Sequence, residues 1–295
     1  MTTGGAAGAP TKGSRPSLCA LVLAAGEGIR LRPLTERTPK ALCPVGNVPL
    51  LDRALHRLAK LGVSGPATVA VNACHLADQV VAHVGNRAYL SVEGPTALGT
   101  SGAVANLRDW IAGRAVLVGN ADAYLCATPD RTGPDLAALL EGWDGRTVRM
   151  LGVPAPPGYR YPFGKFQFAG FSLLPWSVVA ELPEGFSDLV QTAWRPAEAA
   201  GRLEVIEFGG TYLDTGTPAG YLAANLHAAG DGDLVAVDAS VTGRLSRAVI
   251  GARADVQGAV TRGVVWPGGY VGPDEDLVDA IRVGRDLTVG AVHYR

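Results

Sequence analysis

The chain has no Gly-Lys-Ser or Gly-Lys-Thr, no Cys-x-x-Cys, no excess of either charge and no apolar stretch of bilayer length. Each absence excludes a class. Without the first it is no Walker-type nucleotidase. The four cysteines, Cys19, Cys43, Cys74 and Cys126, lie far apart and read as buried thiols of a reducing cytoplasm. The five histidines show no ligand spacing, which leaves no zinc site. A net charge of −1 gives no basic footprint for nucleic acid, so any anion site must be local. No segment is long enough to span a membrane. Residues 1–17, rich in Gly, Ala, Thr and Pro, lack a signal peptide's apolar core and read as a disordered tail. What remains is ample: 47% hydrophobic residues over 295, enough for a large core.

The most informative stretch is Leu23-Ala24-Ala25-Gly26-Glu27-Gly28-Ile29-Arg30-Leu31-Arg32-Pro33-Leu34-Thr35, followed by Pro39-Lys40-Ala41-Leu42. Leu18 to Ala25 is a short apolar run, as in the core strand of a parallel sheet. Gly26 and Gly28 let backbone approach a ligand closely, amides of such a loop face anions, and Arg30 and Lys40 add positive charge. A dinucleotide loop would need a third glycine where Ile29, Arg30 and Leu31 stand. Glycine pairs also occur in ordinary turns, but Arg30 and Pro39-Lys40 at this spacing do not belong to one.

This stretch resembles the signature of the sugar-1-phosphate nucleotidyltransferases, roughly LAxGxGxRLxPLTxxxPKPL. Ile29 stands for the usual Thr or Ser and Ala41 for the second Pro, and neither exchange removes a charge. The resemblance implies an enzyme that joins a nucleoside triphosphate to a sugar 1-phosphate, with nucleotide contacts at Leu23, Ala24, Ala25, Gly26 and Gly28 and catalytic roles for Arg30 and Lys40.

Strand and helix patterns then alternate. Leu50 to Leu61 carries a helical stripe, Ala67–Val71 reads as a strand, and Leu76–Val84 as a helix with Leu76, Val80, Val81 and Val84 inward. Tyr89–Val92 is a strand, Gly99–Ile111 a helix, Ala115–Val118 a strand, Leu136–Trp143 a helix and Thr147–Val153 a strand. The alternation predicts an α/β fold, a Rossmann-like mixed and mostly parallel sheet with helices on both faces, whose ligands sit at the carboxyl strand ends. Beyond about Gly230 short β-branched runs recur between glycines with an irregular six-residue beat, as in turns of a parallel β-helix. Val264 to Leu277 resembles the left-handed β-helix extension of many family members. The boundaries are therefore 18–230 for the nucleotidyltransferase domain and 231–295 for the extension, whose apolar coils suit a homo-oligomer.

Three further segments match the family. Glu93-Gly-Pro-Thr-Ala-Leu98-Gly99-Thr100-Ser101-Gly102-Ala103 resembles E-x-x-P-L-G-T-[AG]-G-A, whose Gly-Thr pair contacts the base; this carries to Gly99 and Thr100, although Thr100 or Ser101 could equally cap a helix. Asn120-Ala121-Asp122 resembles the N-G-D metal site, with Ala121 lacking the freedom of glycine. Tyr212-Leu213-Asp214-Thr215-Gly216-Thr217-Pro218 resembles W-x-D-x-G-T-P. Asp122 and Asp214 are then the carboxylates for Mg²⁺, which shares its shell with phosphate and water, and Pro218 opens a helix.

The likeness thins at Tyr161-Pro-Phe-Gly164-Lys165-Phe-Gln-Phe-Ala-Gly170, where the family's Glu-Lys-Pro loop is missing. Sugar contacts fall to Gly164, Lys165 and Gly170, with Arg160 or Lys165 as substitutes for the lost lysine. A trimmed loop also occurs in the N-acetylmuramate-1-phosphate uridylyltransferases of the family, and Phe166-Gln-Phe-Ala-Gly-Phe-Ser resembles theirs, although they lack the extension; mannose-1-phosphate guanylyltransferase-like members are the other affinity. An Ala-Ala-Gly start of this loop is commoner in relatives that use UTP than in those that use GTP or dTTP, so the resemblance leans to UTP. The competing reading is a non-catalytic sensor or assembly scaffold of the same fold, which has no need of Arg30, Lys40, Asp122 and Asp214 together. A kinase lacks its motifs here.

Overall fold

The computed structural model describes residues 18–126 and 135–291; the tail expected over 1–17 lies outside them. The chain's first apolar run forms β1 (Leu18–Leu23), in which Cys19 to Val22 are buried on both faces. That run is continuous because helices cover the sheet on either side. β2 (Val69–Ala73), β3 (Tyr89–Val92), β4 (Ala115–Asn120), β6 (Val148–Pro154), β7 (Phe166–Leu174) and β8 (Leu203–Glu207) complete a seven-stranded sheet in the order β8-β6-β7-β4-β1-β2-β3. All neighbours are parallel except those of β7, which runs against β4 and β6. Outside this sheet β5 (Ala123–Cys126) pairs antiparallel with β9 (Thr211–Asp214).

Alternation along the strands divides the core. Ala20, Val22, Val71, Leu117 and Phe171 meet Leu51 and Leu58 of α1 (Leu50–Ala59) and Val80 and Val84 of α2 (Ala77–Val84). Leu21, Ala70, Val116 and Val118 meet Val104 of α3 (Gly99–Asn106), Ile111, Val179 and Trp194. The two faces follow from the period of two along a strand.

Several boundaries differ from expectation. β1 ends at Leu23, which frees Ala24 and Ala25 for the loop, and β2 starts and ends two residues late. Leu76 and Val81 are only half-buried, Leu76 sitting in the left-handed region just ahead of α2. The helix read over Gly99–Ile111 is interrupted at Leu107. That over Leu136–Trp143 shrinks to Ala137–Leu140, because Glu141 is extended and Gly142 has positive φ. Cys19 and Cys43 are buried as read, whereas Cys74 and Cys126 are half-buried.

After α4 (Pro218–Ala229) the chain winds into three short parallel ladders. Leu234 pairs with Val249, Val249 with Val264 and Val264 with Ile281, so a coil closes about every fifteen residues. The irregular beat seen in the sequence is one side of a three-sided coil, with Arg247, Arg253 and Arg262 at left-handed corners. Ile250, Val256, Val260, Val265 and Val271 fill its interior. Its first ladder does not stand apart. Val249, Val264, Trp266 and Ile281 share one buried cluster with Tyr221 and Leu222 of α4 and with Leu31 and Leu34 of the glycine loop.

Candidate active site

The carboxyl ends of β1, β2 and β4 lie side by side, because Leu23 is in register with both Asn72 and Asn120. A cavity of about 520 Å³ opens there, within the size range of small-molecule sites. Of the residues singled out in the sequence, Leu23, Ala24, Ala25, Gly26, Gly28, Arg30, Lys40, Gly99, Thr100 and Asp122 line it.

The glycine loop is held from beneath. Gly28 has φ +64°, and a Cβ on it would come within 2.9 Å of Thr35 Cγ2 and 3.1 Å of Lys40 Cβ; only glycine fits both the conformation and the space. The buried Thr35 donates its hydroxyl to the Gly28 carbonyl at 2.9 Å. At Gly26 nothing beyond its chain neighbours lies within 4 Å of where a Cβ would stand, and Gly26 lines the cavity.

Lys40 is buried and forms an ion pair with Asp122. Beneath it, burial pushes the Cys43 thiol up to about 12 against the opposing influence of Lys40, so Cys43 is a neutral filler of the core. Arg30 points both terminal nitrogens at Asp214 Oδ2, each at 3.4 Å, in an exposed pair. The β5/β9 ladder brings the two residues side by side along the backbone: Asp214 is in register with Ala123, the residue after Asp122. The buried Thr215 locks the junction by donating to the Asp122 carbonyl at 2.7 Å. Burial, and then the charges of Asp214 and Asp122, raise the Tyr212 phenol well above its usual range. Ala121 is buried and has no positive φ, so this strand end never needed the freedom of glycine. Thr217 caps α4 by accepting from Gly220 N–H at 3.2 Å, with Pro218 in its first turn.

Gly216 explains the glycine of that segment. A Cβ there would lie 2.5 Å from Arg30 Nη2 and 2.8 Å from Asp214 Oδ1. The exposed guanidinium can swing away at little cost. Gly216→Ala is therefore expected to leave the melting temperature within a few degrees and to weaken nucleotide triphosphate binding about tenfold, read by thermal unfolding and by titration.

A buried network that the sequence did not announce joins the two halves of the cavity. Asn72 Oδ1 accepts from the Ala24 amide at 2.7 Å, and its Nδ2 donates to Glu93 Oε1 at 2.8 Å. Glu93 Oε2 accepts from the Leu98 amide at 2.8 Å, just ahead of Gly99 and Thr100. Asn72 and Glu93 are both buried. Asn72→Ala would strand a buried amide and one carboxyl oxygen. It is expected to cost about 3 kcal/mol of stability and, in a denaturant melt at constant m, to shift the midpoint accordingly.

Gly99 and Thr100 do more than wall the cavity. A Cβ on Gly99 would meet the Ser187 carbonyl at 2.3 Å. Thr100 Oγ1 accepts from the Leu189 amide at 2.8 Å, so it caps the neighbouring segment and not its own helix. The expected sugar contacts lie elsewhere. Gly164 and Lys165 form the exposed turn of a tight hairpin between Phe163 and Phe166. Lys165 sits over the Phe166 ring and Arg160 over that of Tyr161. Gly170 is buried against Ala123, whose Cβ would be 2.3 Å from an added Cβ. None of these walls the cavity. Among the described residues no group of three acidic, His or Cys side chains could hold a metal. A two-carboxylate set fits a hard cation that takes its other ligands from phosphate and water.

A glycine loop, two cations and Asp122 at the carboxyl edge of a mostly parallel sheet, with Asp214 on the adjoining ladder, form an arrangement of the kind that suits a nucleotide. Residues 19–132 match the family model described as Nucleotidyl transferase. The chain is 28% identical over 235 residues to N-acetylmuramate alpha-1-phosphate uridylyltransferase of Caulobacter vibrioides, covering 70% of this chain and 94% of that one. It is 32% identical over 129 residues to mannose-1-phosphate guanylyltransferase of Mycobacterium tuberculosis, 41% of this chain and 33% of that. Among solved structures, one described as a candidate glucose-1-phosphate thymidylyltransferase from Bacillus anthracis superimposes with a TM-score of 0.58 at 18% identity, over 72% of this chain and 95% of that chain, a likeness of fold. In these matches the chain resembles the sugar-1-phosphate nucleotidyltransferases.

Proposed function

We propose that the chain transfers a nucleotidyl group from a nucleoside triphosphate, UTP before GTP or dTTP, to a sugar 1-phosphate, releasing pyrophosphate. The observation that carries this reading is the pairing of Lys40 with Asp122 and of Arg30 with Asp214, with Arg30, Lys40 and Asp122 lining one cavity. A scaffold would have no use for all four.

The sugar phosphate oxygen that attacks the α-phosphorus is already an anion, so no general base is needed. The O–P bond to the sugar phosphate forms as the bond to the pyrophosphate oxygen breaks, and the electron pair leaves with pyrophosphate. The protein must then supply position and positive charge. The Gly26 amide and its neighbours would receive the triphosphate. The Arg30 fork suits two oxygens of the β- and γ-phosphates. Lys40, held inward by its burial, would lie where the two anions meet and offset their repulsion. Asp122 and Asp214 would hold Mg²⁺, which supplies charge neutralisation and orientation of the phosphates when bound. Arg30 and Lys40, paired with Asp214 and Asp122, would turn to the phosphates on binding, leaving the two carboxylates to hold the cation. Gly99 and Thr100, tied to the loop by Asn72 and Glu93, would face the base. No helix of the described residues is long and apolar enough to cross a membrane.

Incubation with each triphosphate, Mg²⁺ and a panel of sugar 1-phosphates should release pyrophosphate only when a sugar phosphate is present. Release of nucleoside diphosphate, or acceptor-independent hydrolysis, would overturn the reading.

A further inference from the structure

The coils after α4 are closed at one end and open at the other. At the C-terminal end Arg282, in register with Val265 and 4% exposed, donates to the Tyr270 and Arg285 carbonyls and to Glu275. The strand Leu287–Gly290 then pairs antiparallel with Ala280–Val283. The first coil has no such cover. Its strands Leu234–Val235, Ser240–Val241 and Arg244–Ser246 each head a ladder, with a neighbour on one side only among the described residues.

Exposure follows the same division. Val235 is in register with Ile250, Val241 with Val256 and Leu245 with Val260. Ile250, Val256 and Val260 are fully buried inside the coils. Val235 is 41% exposed, Val241 and Leu245 are half-buried, and Val237 is fully exposed. The first coil therefore shows the inside of the stack as an apolar, three-sided end. A terminal repeat that meets water normally turns a polar face outward.

The same three residues carry the unpaired backbone. The amides of Leu234, Ala236, Ser240, Thr242 and Arg244 all donate to the second coil. Successive residues of a strand alternate in direction, so Val235, Val241 and Leu245 turn their N–H and C=O groups away from it, one on each side of the triangle. Edge strands of two or three residues are poor templates for a single extended chain. A partner that engages all three sides at once needs the same three-sided section, and this chain supplies one.

We propose that the open first coil is an interaction surface for a second copy of this chain, the two ends meeting coil on coil about a two-fold axis through Val241. The middle strand then runs antiparallel to itself, and the first side of each copy meets the third side of the other. Charge favours this arrangement. Asp233 and Asp238 flank the first side, and Arg244 and Arg247 the third. Both arginines are exposed, and neither has an ion pair among the described residues. Counted outward from the axis, Val237 faces Leu245 of the second copy and Asp238 faces its Arg244. The contact is isologous, so each pair occurs twice. One coil of about fifteen residues is smaller than the ~20–30 residues a side of a stable interface, so the dimer dissociates reversibly, with a Kd of about 1–100 μM. No residue of the coils lines the cavity at the glycine loop, and nucleotide binding is independent of the contact.

Sedimentation of the full chain over a concentration range spanning that Kd tests the proposal. The expected result is a monomer–dimer equilibrium. Asp238→Arg and Arg244→Asp should each weaken it about tenfold or more, and the double variant Asp238→Arg/Arg244→Asp should restore it. Asp238 also accepts from the Arg253 amide at 3.3 Å. Val237→Lys, at a side chain fully exposed in the monomer, therefore serves as a second variant: it should weaken the dimer to a similar degree with the parent's melting temperature when dilute. A monomer at every concentration, a trimer of coils packed side by side, a dimer that survives Val237→Lys, or a double variant that fails to recover would overturn it.

Discussion

Replacing Lys40 by alanine is expected to lower turnover about a thousandfold while changing nucleotide affinity by about tenfold at most. Lys40 is the buried cation of the site and is anchored on Asp122, whereas Arg30 is exposed and free to follow the outer phosphates. A buried charge acts in a poorly screened environment. It matters most where charge accumulates, at the meeting of attacking phosphate and α-phosphate, and that crowding exists only in the transition state. Removing an interaction of this kind lowers kcat and kcat/KM together. The substitution also leaves Asp122 without its partner, so a mild loss of stability in the free protein should accompany the loss of rate. Single-turnover kinetics beside nucleotide titration would check both. Equal losses in binding and turnover would remove Lys40 from the chemistry.

The second large effect is expected from deletion of everything after Gly230. The C-terminal coils cover the apolar faces of α4 and of the turns that carry Leu31 and Leu34. Val249, Val264, Trp266 and Ile281 would all be lost from that cluster. Removing one large buried side chain typically costs about 2–5 kcal/mol, and a whole domain holds only about 5–15 kcal/mol. Asn47 Nδ2 would also lose the Ile250 carbonyl, 2.9 Å away. The truncated chain should therefore fail to fold cooperatively at 25 °C, and Ile281→Ala in the full chain should lose about 2–5 kcal/mol in a denaturant melt. A truncated chain with the parent's melting temperature and nucleotide affinity would mean that the coils are a separate appendage.

Much of this was legible in the residues because its signals are local. The glycine loop follows its strand directly, and Arg30 and Lys40 sit at fixed spacings behind it. The alternation of apolar runs gave the sheet, and the glycine-spaced valines gave the coils. Other features depend on partners far along the chain, which no local pattern encodes. Asn72 looks like any polar strand end until Glu93 and the Ala24 amide are found beside it. Gly99 reads as room for a base, yet the Ser187 carbonyl occupies the direction of its missing Cβ. Ala121 looked like a departure in a loop that wants glycine, but the backbone there has no positive φ. The acceptor side was the least legible. Gly164, Lys165 and Gly170 were chosen by their place in a motif with its loop removed, and none of the three lines the cavity beside the glycine loop.

The most direct measurement is thermal unfolding with UTP, GTP, dTTP, CTP and ATP, each with Mg²⁺, in the parent and in the Asp122→Ala/Asp214→Ala double variant. It requires no knowledge of the sugar. Ligand at about a hundred times Kd should stabilise the folded state by about 2.7 kcal/mol. The expected result is a shift with one triphosphate, UTP first, that shrinks in the double variant because the metal has lost its two carboxylates. No shift with any triphosphate, or an equal shift in parent and variant, would contradict a metal–nucleotide site built on Arg30, Lys40, Asp122 and Asp214.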